Sequence, residues 1–452
     1  MKYVQLVAVM AALWFLGSGV EGILHHLDHG FEGAIMPAVI ALFAFFAINA
    51  LSVYLSRGTI LPPFMTLALL VAAGQEFFLP ALGDSKTEVL MFLAITGALI
   101  ILLQGGWETP FANFKQLFWK IASLAFVGLF VTAVLFSYGL VALGGMLGVS
   151  ITAVTAVLLG AILASTDPAA IVPVTRDLKW KDLTAKDTVV AESALSDVTG
   201  ALLTFTLLPL AVAGSMDSIW TGGYANVLTG ETVLFIAKQV VLGTIAGLAA
   251  WLILYCLDKY LSRQYHNHAV DMAMIIVAAI GAYILALYIG GNGFLAAFVA
   301  GLMFNVQDHM RHTEHRYADF VDVFGKGAVF FALGMLVDVA TLFDYKIALV
   351  GILSALAFML VIRPIAVLIS IGPFLLFQGK NKIKSVSWQD MAFMMWVRET
   401  GAIPAVLLVV AAGMSIPGTE ALVPVGMWVI ILTLIVQPPL TPWLAKKLDL
   451  VD

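Results

Sequence analysis

The hydrophobic positions of this chain fall in long unbroken runs, and its polar residues gather in the short stretches between them. Strict apolar–polar alternation, the mark of strands in a membrane barrel, is absent. Most runs approach 20 residues, the length at which a helix rising about 1.5 Å per residue crosses a hydrocarbon core about 30 Å thick. The runs are 4–20, 34–55, 61–80, 88–105, 117–142, 149–174, 187–211, 231–256, 268–288, 292–306, 322–340, 347–374, 388–412 and 419–442. The shortest, 292–306, leans on its Gly-rich flank. This pattern predicts an all-α polytopic membrane protein with about 14 transmembrane helices.

The connecting stretches fix an orientation. The 21–33 connection carries Glu21, Asp28 and Glu32 but no Lys or Arg, and 212–230 is equally bare of them. The alternate connections hold Arg57, then Lys115, then Arg176, Lys179, Lys181 and Lys186. Farther on come Lys259 and Arg263, Arg311 and Arg316, then Lys380, Lys382 and Lys384, with Lys446 and Lys447 near the end. By the positive-inside rule both termini are expected to be cytoplasmic. Lys2 before the first run could begin a signal peptide, but no small-residue cleavage site precedes the His25, His26 and His29 loop, so we expect that span to be retained.

Set aside the first span and thirteen remain: six, one linker, six. The second six then run opposite to the first, the layout of an inverted-repeat transporter. The expected division is residues 1–33 as an extra helix and outer loop, 34–211 as a first repeat, 212–267 as a linker helix and 268–445 as a second repeat. In this pairing 149–174 matches 388–412, and 187–211 matches 419–442.

Composition sharpens the picture without changing it. The chain has 452 residues, 62% hydrophobic and 11% charged, and a mean hydropathy of +1.01. Soluble domains carry about 25% charged residues. The net charge of −5 is small, and no long basic tract invites nucleic acid. The single Cys256 rules out an internal disulfide or a cysteine metal cluster. The histidines are read as loop residues, His266, His268, His309, His312 and His315 on the cytoplasmic side, so no transition-metal site is expected within the spans and no cofactor is called for. Solvated surface is the plain reading of those loop histidines, with pH sensing the sharper one.

What remains unusual is charge at depth. Asp197 lies ten residues from the inner end of its run, roughly 15 Å in; Asp167 seven, roughly 11 Å; Arg363 eleven, roughly 17 Å; Arg398 ten, roughly 15 Å. Four charges on four helices converge near the midplane, with Glu192 slightly nearer the cytoplasm. Such groups cost at least about 2.5–3.5 kcal/mol each and mark function. Glu76, Lys238, Lys326 and Asp338 sit nearer span ends, where snorkelling suffices.

The sequence around them has its own chemistry. Pro168 lacks an N–H and pushes Asp167 out of helical conformation, and Pro173 repeats the effect. The 149–174 helix is therefore expected to break near Thr166–Asp167, exposing carbonyls beside a cavity. Asp167 would cap the second half-helix; the bland reading is a simple proline kink. On the next helix Ser193 and Asp197 share a face, as do Glu192 and Ser196, whereas Glu192 and Asp197 lie about 140° apart. Asp197 and Ser193 would then face an ion and Glu192 a partner cation. Oxygen ligands of this kind suit a hard cation. In the matching helix, Arg398 and Glu399 precede Gly401 and Pro404 and mirror the first break; a structural Arg–Glu pair is the bland reading there.

These residues resemble those of the monovalent cation/proton antiporters, specifically the NhaP-like sodium/proton branch, over about residues 34–445. Thr166–Asp167–Pro168 looks like that family's unwound crossing helix. Glu192-Ser193-x-x-Ser196-Asp197 is similar to its ESxxND motif, Ile362–Pro364 to its Arg-Pro, and the VRETGAIP run at 397–404 to its LRGAI segment. The resemblance implies two broken crossing helices, elevator-type alternating access and a homodimer in the plasma (inner) membrane. It implies Na+, Li+ or K+ and H+ as cargo. It implies that Asp197 is the shared cation/proton site, that Ser193, Thr166 and Glu192 assist coordination, and that Arg363 pairs with Glu192. Asp197, Ser193 and Thr166 would be the Na+ ligands; Asp167, Ser196, Arg398 and Glu399 would support them. Ser196 departs from the family's Asn, and Glu399–Thr400 looks inserted. With one titrating Asp the exchange would be electroneutral. The alternatives are a K+/H+ antiporter of the same fold, a channel, and an intramembrane aspartyl protease using Asp167 and Asp197. A protease needs YD and GxGD contexts; no Tyr precedes an Asp, and Gly83–Asp84 falls in an outer loop.

Overall fold

The computed structural model describes residues 3–10, 31–76, 86–109, 111–167, 178–261, 268–304, 311–376 and 386–451. Pro168, Pro173, His25, His26, His29, His266 and His309 lie outside these residues, as does most of the first predicted span, of which 4–10 is helical. The described residues form helices joined by turns and irregular stretches, with one isolated antiparallel bridge between Trp180 and Val451.

The principal helices are α1 Phe31–Ser56, α2 Pro63–Ala73, α3 Lys86–Glu108, α4 Phe111–Ala122, α5 Leu129–Leu147, α6 Ala153–Leu163, α7 Thr184–Val212 and α8 Gly230–Leu261. They continue as α9 His268–Ile289, α10 Gly293–Phe304, α11 Arg311–Phe320, α12 Lys326–Leu336, α13 Tyr345–Ala357, α14 Arg363–Leu376, α15 Trp388–Trp396, α16 Ala402–Gly413 and α17 Leu422–Lys447. Wide π-turns at Ser123–Gly128 and Phe358–Ile362 run α4 into α5 and α13 into α14. Each of those joined pairs is long enough to cross a membrane.

Seven helical segments among the described residues are long and apolar enough to span. The short ones matter more for the site. α6 has 11 residues and α16 has 12, so each reaches only about 16–18 Å, roughly half the hydrocarbon thickness. Both therefore end inside the apolar layer, where irregular backbone survives only if protein satisfies it.

Burial separates two kinds of helix. The apolar windows of α7 and α17 are 67% and 72% buried, while those on α8 and α9 are 28% buried. α8 and α9 turn Leu252, Ile253, Val277 and Tyr288 outward, the surface expected against lipid tails. α3 packs on α10 at very short range: a Cβ at Gly301 would run into the Leu103 carbonyl, and one at Gly106 into that of Phe298. Small residues permit such close approach where no hydrophobic effect drives helices together.

Two expectations change here. Lys326 does not snorkel. It is buried, pairs with Asp322 Oδ1 at 2.5 Å and lies over the Phe64 ring at 5.6 Å; the i,i+4 spacing lets an exposed aspartate neutralise it while the lysine itself stays covered. His268 opens α9, and His312 and His315 lie within α11, so the stretches read as loop are partly helical. Lys238 and Glu76 are exposed as expected. Asp338 caps the turn Val339–Leu342 through Ala340 and Thr341 N–H.

Candidate functional site

The first break follows α6. Thr152 caps its start by accepting from Thr155 N–H at 3.1 Å, and Leu163 ends it. Ser165, Thr166 and Asp167 leave the helix and are buried. Their polar groups go to neighbours. Thr166 N–H donates to Ser196 Oγ at 3.1 Å, and the two hydroxyls lie 2.8 Å apart. Ser196 gives its own proton to the Ser193 carbonyl at 2.9 Å, so the Thr166 hydroxyl is the donor between them. Ser193 Oγ donates to the Thr166 carbonyl at 2.7 Å. Ser196 thus braces the break onto α7.

The second break joins α15 to α16. A capping box between Ser387 and Asp390 starts α15, and residues 397–401 run non-helically before Ala402. The two breaks touch directly: Asp167 N–H donates to the Glu399 carbonyl at 2.9 Å. Asp167 Oδ2 accepts from Ala402 N–H at 2.9 Å. The aspartate therefore caps the start of α16, on the other crossing, rather than serving only the segment that follows it in sequence. A Cβ at Gly401 would fall on that carboxylate, which is why glycine stands there.

Arg398 returns the contact. Its Nη2 donates to the Leu163 carbonyl at 3.1 Å and to that of Ala164. A guanidinium thus meets the C-terminal carbonyls of α6, where the helix presents its negative end. The group stacks over the Phe358 ring at 4.8 Å. The bland reading of a structural Arg398–Glu399 pair does not hold: the Arg398 Nη2 turns to α6 and neither Glu399 oxygen has a hydrogen-bond partner. α17 braces this break: Thr433 Oγ1 accepts from Thr400 N–H at 3.3 Å, and Gln437 donates to the Trp396 carbonyl.

One ion pair locks these elements together. Arg363, at the start of α14, reaches Glu192 Oε2 at 3.2 Å and Oε1 at 3.4 Å, and its Nε donates to the Met394 carbonyl at 3.1 Å. Both side chains are essentially sealed, at 0% and 1% exposure. The fork geometry satisfies both carboxylate oxygens at once.

Asp197 lies on α7 one residue past Ser196 and is buried, and its Oδ1 has no hydrogen-bond partner. Ser165 stands beside it, and Asp167, Glu192 and Arg398 are within electrostatic reach. A carboxylate oxygen left open in a dry setting, next to the Ser165 hydroxyl, offers hard oxygen ligands. Bare, it is costly; neutralised by a proton or a monovalent cation, it is not.

The structure thus brings Thr166, Ser193, Ser196 and Asp197 to the first break, sets Glu192 on Arg363, and joins Asp167 to the second break. Sequence reasoning missed Ser165, Thr433, Gln437 and Phe358. Two of these left a trace. Ser165 opens the hydroxyl-rich STD triplet before Pro168, and Gln437 is a lone amide in an apolar run before Pro438–Pro439.

Known proteins resemble this chain. A family model described as the transmembrane sodium/hydrogen exchanger matches residues 58–447. A K(+)/H(+) antiporter NhaP2 of Shewanella sp. (strain MR-4) is 30% identical over 355 residues, covering 75% of this chain and 54% of its own length. The K(+)/H(+) antiporter NhaP of Alkalimonas amylolytica is 26% identical over 419 residues, covering 91% of this chain and 67% of its own. The Na(+)/H(+) antiporter ApNhaP of Aphanothece halophytica is 22% identical over 400 residues, covering 86% and 70%. The chain spans about half the length of the Shewanella relatives it matches. The structure of the sodium proton antiporter MjNhaP1 from Methanocaldococcus jannaschii superimposes with a TM-score of 0.68 at 20% identity, over 92% of this chain and 99% of that one. That likeness speaks for the fold. With the matched region running through both breaks, α7 and the Arg363–Glu192 pair, the chain belongs to the transmembrane sodium/hydrogen exchanger family.

Proposed function

We propose that the protein is a secondary active transporter that exchanges a monovalent cation for H+ at Asp197. The observation that carries this reading is the buried Asp197 carboxylate with one oxygen unclaimed beside a helix break. The cation and the proton compete for that group. Either one neutralises it, and the bare anion is too costly to carry across, so the two fluxes are coupled. Thr166, Ser193 and Ser165 supply further oxygens, and the Arg363–Glu192 pair holds α7 and α14 in register. One exchanging carboxyl gives an electroneutral cycle. In our reading α6–α7 and α15–α17 belong to inverted repeats within a fold of about fourteen spans. The matched bracing supports it: α7 side chains hold the first break as α17 side chains hold the second. Movement is of the elevator type, in a homodimer of the inner membrane with both termini in the cytoplasm.

The cargo has two readings. Sodium is favoured by the family model's description and by the name of the Aphanothece relative, and lithium is the expectation that goes with it. Potassium is favoured by the names of the Shewanella and Alkalimonas relatives. A sodium, lithium and potassium series across pH, in vesicles that report proton flux, decides between them. The same assay tests the site: Asp197→Asn should abolish cation-dependent proton flux while the protein still folds. Surviving flux in that variant would remove Asp197 from the role.

A further inference from the structure

α4 has two faces of different character. Its sequence, FANFKQLFWKIA, carries Lys115 and Lys120 and no acidic residue. Leu117 and Ile121, one turn apart, are sealed against Ala191 and Leu195 of α7, with Phe114 beside them. Ala191 and Leu195 bracket Glu192 and Ser193 in the sequence, so α4 backs the stretch of α7 that carries the site. The opposite face is uncovered. Lys115 is exposed, and Phe118 and Trp119, three and four residues on, are 40% and 74% exposed. Residues at that spacing share one face of a helix, and the two rings stand edge to face, 5.4 Å apart. A wide turn at Ser123–Gly128 then ends α4 before the span continues, an interruption of the kind that gathers at functional sites.

Position in the membrane gives the uncovered face its meaning. The helical run from Phe114 to Leu147 has 34 residues, about 51 Å at 1.5 Å each, against a hydrocarbon core of about 30 Å. Its first turns therefore stand in the headgroup layer. Phe118 and Trp119 open the apolar run, and Lys115 lies one turn nearer water. An ammonium one turn above two aromatic rings suits a phospholipid whose phosphate meets the lysine and whose upper acyl chain meets the rings. The C-terminal end of α17 offers a contrast. Exposed Trp443 also has a lysine one turn nearer water, but Lys447 Nζ lies over that ring at 4.8 Å, whereas no carboxylate among the described residues pairs with Lys115. We propose that Lys115, Phe118 and Trp119 form a binding site for an anionic phospholipid of the cytoplasmic leaflet, and that the bound lipid braces α7 through Leu117 and Ile121 and so speeds exchange. The leaflet follows from the basic connections on that side.

The binding half needs no transport, and only the effect on exchange rests on the reading given above, so the two fail separately. For binding, the full chain in neutral detergent is titrated with phosphatidylglycerol or with phosphatidylcholine while melting is followed. A lipid held only by the folded chain raises the melting temperature. Phosphatidylglycerol should raise it and phosphatidylcholine should not. Lys115→Gln should need about fivefold more phosphatidylglycerol for the same rise, the worth of one basic residue at an anionic surface. Trp119→Ala should weaken the response as well, and Lys447→Gln, with the same loss of charge, should keep it. For exchange, cation-dependent proton flux is compared in phosphatidylcholine vesicles with and without phosphatidylglycerol. The anionic lipid should speed wild-type flux and leave that of Lys115→Gln unchanged. Equal responses to the two lipids, or equal losses in Lys115→Gln and Lys447→Gln, overturn the site. Wild-type flux that ignores phosphatidylglycerol overturns its link to exchange. A wild-type chain with no cation-dependent flux at all would remove the exchange reading and leave the lipid site standing on the melting result.

Discussion

The two broken helices use their polar groups differently. At the first, Thr166 and Asp167 are spoken for by α7 and by the opposite crossing, and the Ser165 hydroxyl left over stands beside the open oxygen of Asp197. At the second, the backbone is braced by Thr433 and Gln437, while the Glu399 carboxyl and the Thr400 hydroxyl stay unpartnered. Their charges are exchanged as well. The aspartate of the first break caps the positive start of α16, and the arginine of the second closes the negative end of α6. Neither half-helix is finished by its own segment. The lesson is that the breaks form one unit: separating them would strip α6 and α16 of their caps inside an apolar layer.

The severest way to break that unit is to remove the clamp that ties both bracing systems together. Arg363 holds Glu192 on α7 and the Met394 carbonyl at the end of α15. Arg363→Ala leaves Glu192 sealed and unpaired, which costs about 3–5 kcal/mol. We expect a large fall in melting temperature and poor assembly rather than a change of ion preference. A well-folded Arg363→Ala protein that differed only in selectivity would show that the clamp is not structural.

A smaller effect should come from the glycine where the breaks touch. Gly401→Ala places a methyl group on the Asp167 carboxylate. The aspartate must withdraw from Ala402 N–H, uncapping α16 and crowding a tight contact. Overpacking of this kind costs about 1–3 kcal/mol. Melting should fall by that much with Arg363–Glu192 intact. Unchanged melting would mean that the contact gives way easily and that the breaks are less tightly joined than their hydrogen bonds indicate.

How much of this the sequence carried follows from which forces act locally. The spans were legible because a membrane demands unbroken apolar length, which no distant residue can disguise. The break at Thr166–Asp167 was legible because proline acts on its own neighbour. The Arg363–Glu192 pair came from the family resemblance, since charge at similar depth shows only that opposite signs could meet. The cap exchange was not legible: Asp167 and Ala402 are 235 positions apart, and a carboxylate before Pro168 reads as the cap of its own helix. Lys326 was misread for the same reason, since depth from a span end says nothing of an aspartate four residues back. Glu399 looked like half of a pair because Arg398 adjoins it; only the fold shows the arginine taken elsewhere.

The finest comparison sets one bracing hydroxyl against the other. Interhelical hydrogen bonds in membrane proteins average about 0.6 kcal/mol, because the alternative states also find partners. Ser196 makes two such bonds to Thr166, at 3.1 and 2.8 Å, and its loss leaves a buried backbone N–H without an acceptor. Thr433 makes one, to Thr400 N–H, at 3.3 Å. Ser196→Ala should therefore cost about 1–2 kcal/mol and Thr433→Val about 0.5 kcal/mol. Ser196→Ala should also lower cation affinity, because Thr166 and Asp197 are positioned from the same turn of α7, whereas Thr433→Val should leave affinity alone. Melting curves and cation titrations of the two variants side by side would show it. Equal losses in both measurements would mean that the two breaks contribute alike to the ion site. In that case the asymmetry in their unclaimed oxygens would have no bearing on where the cation sits.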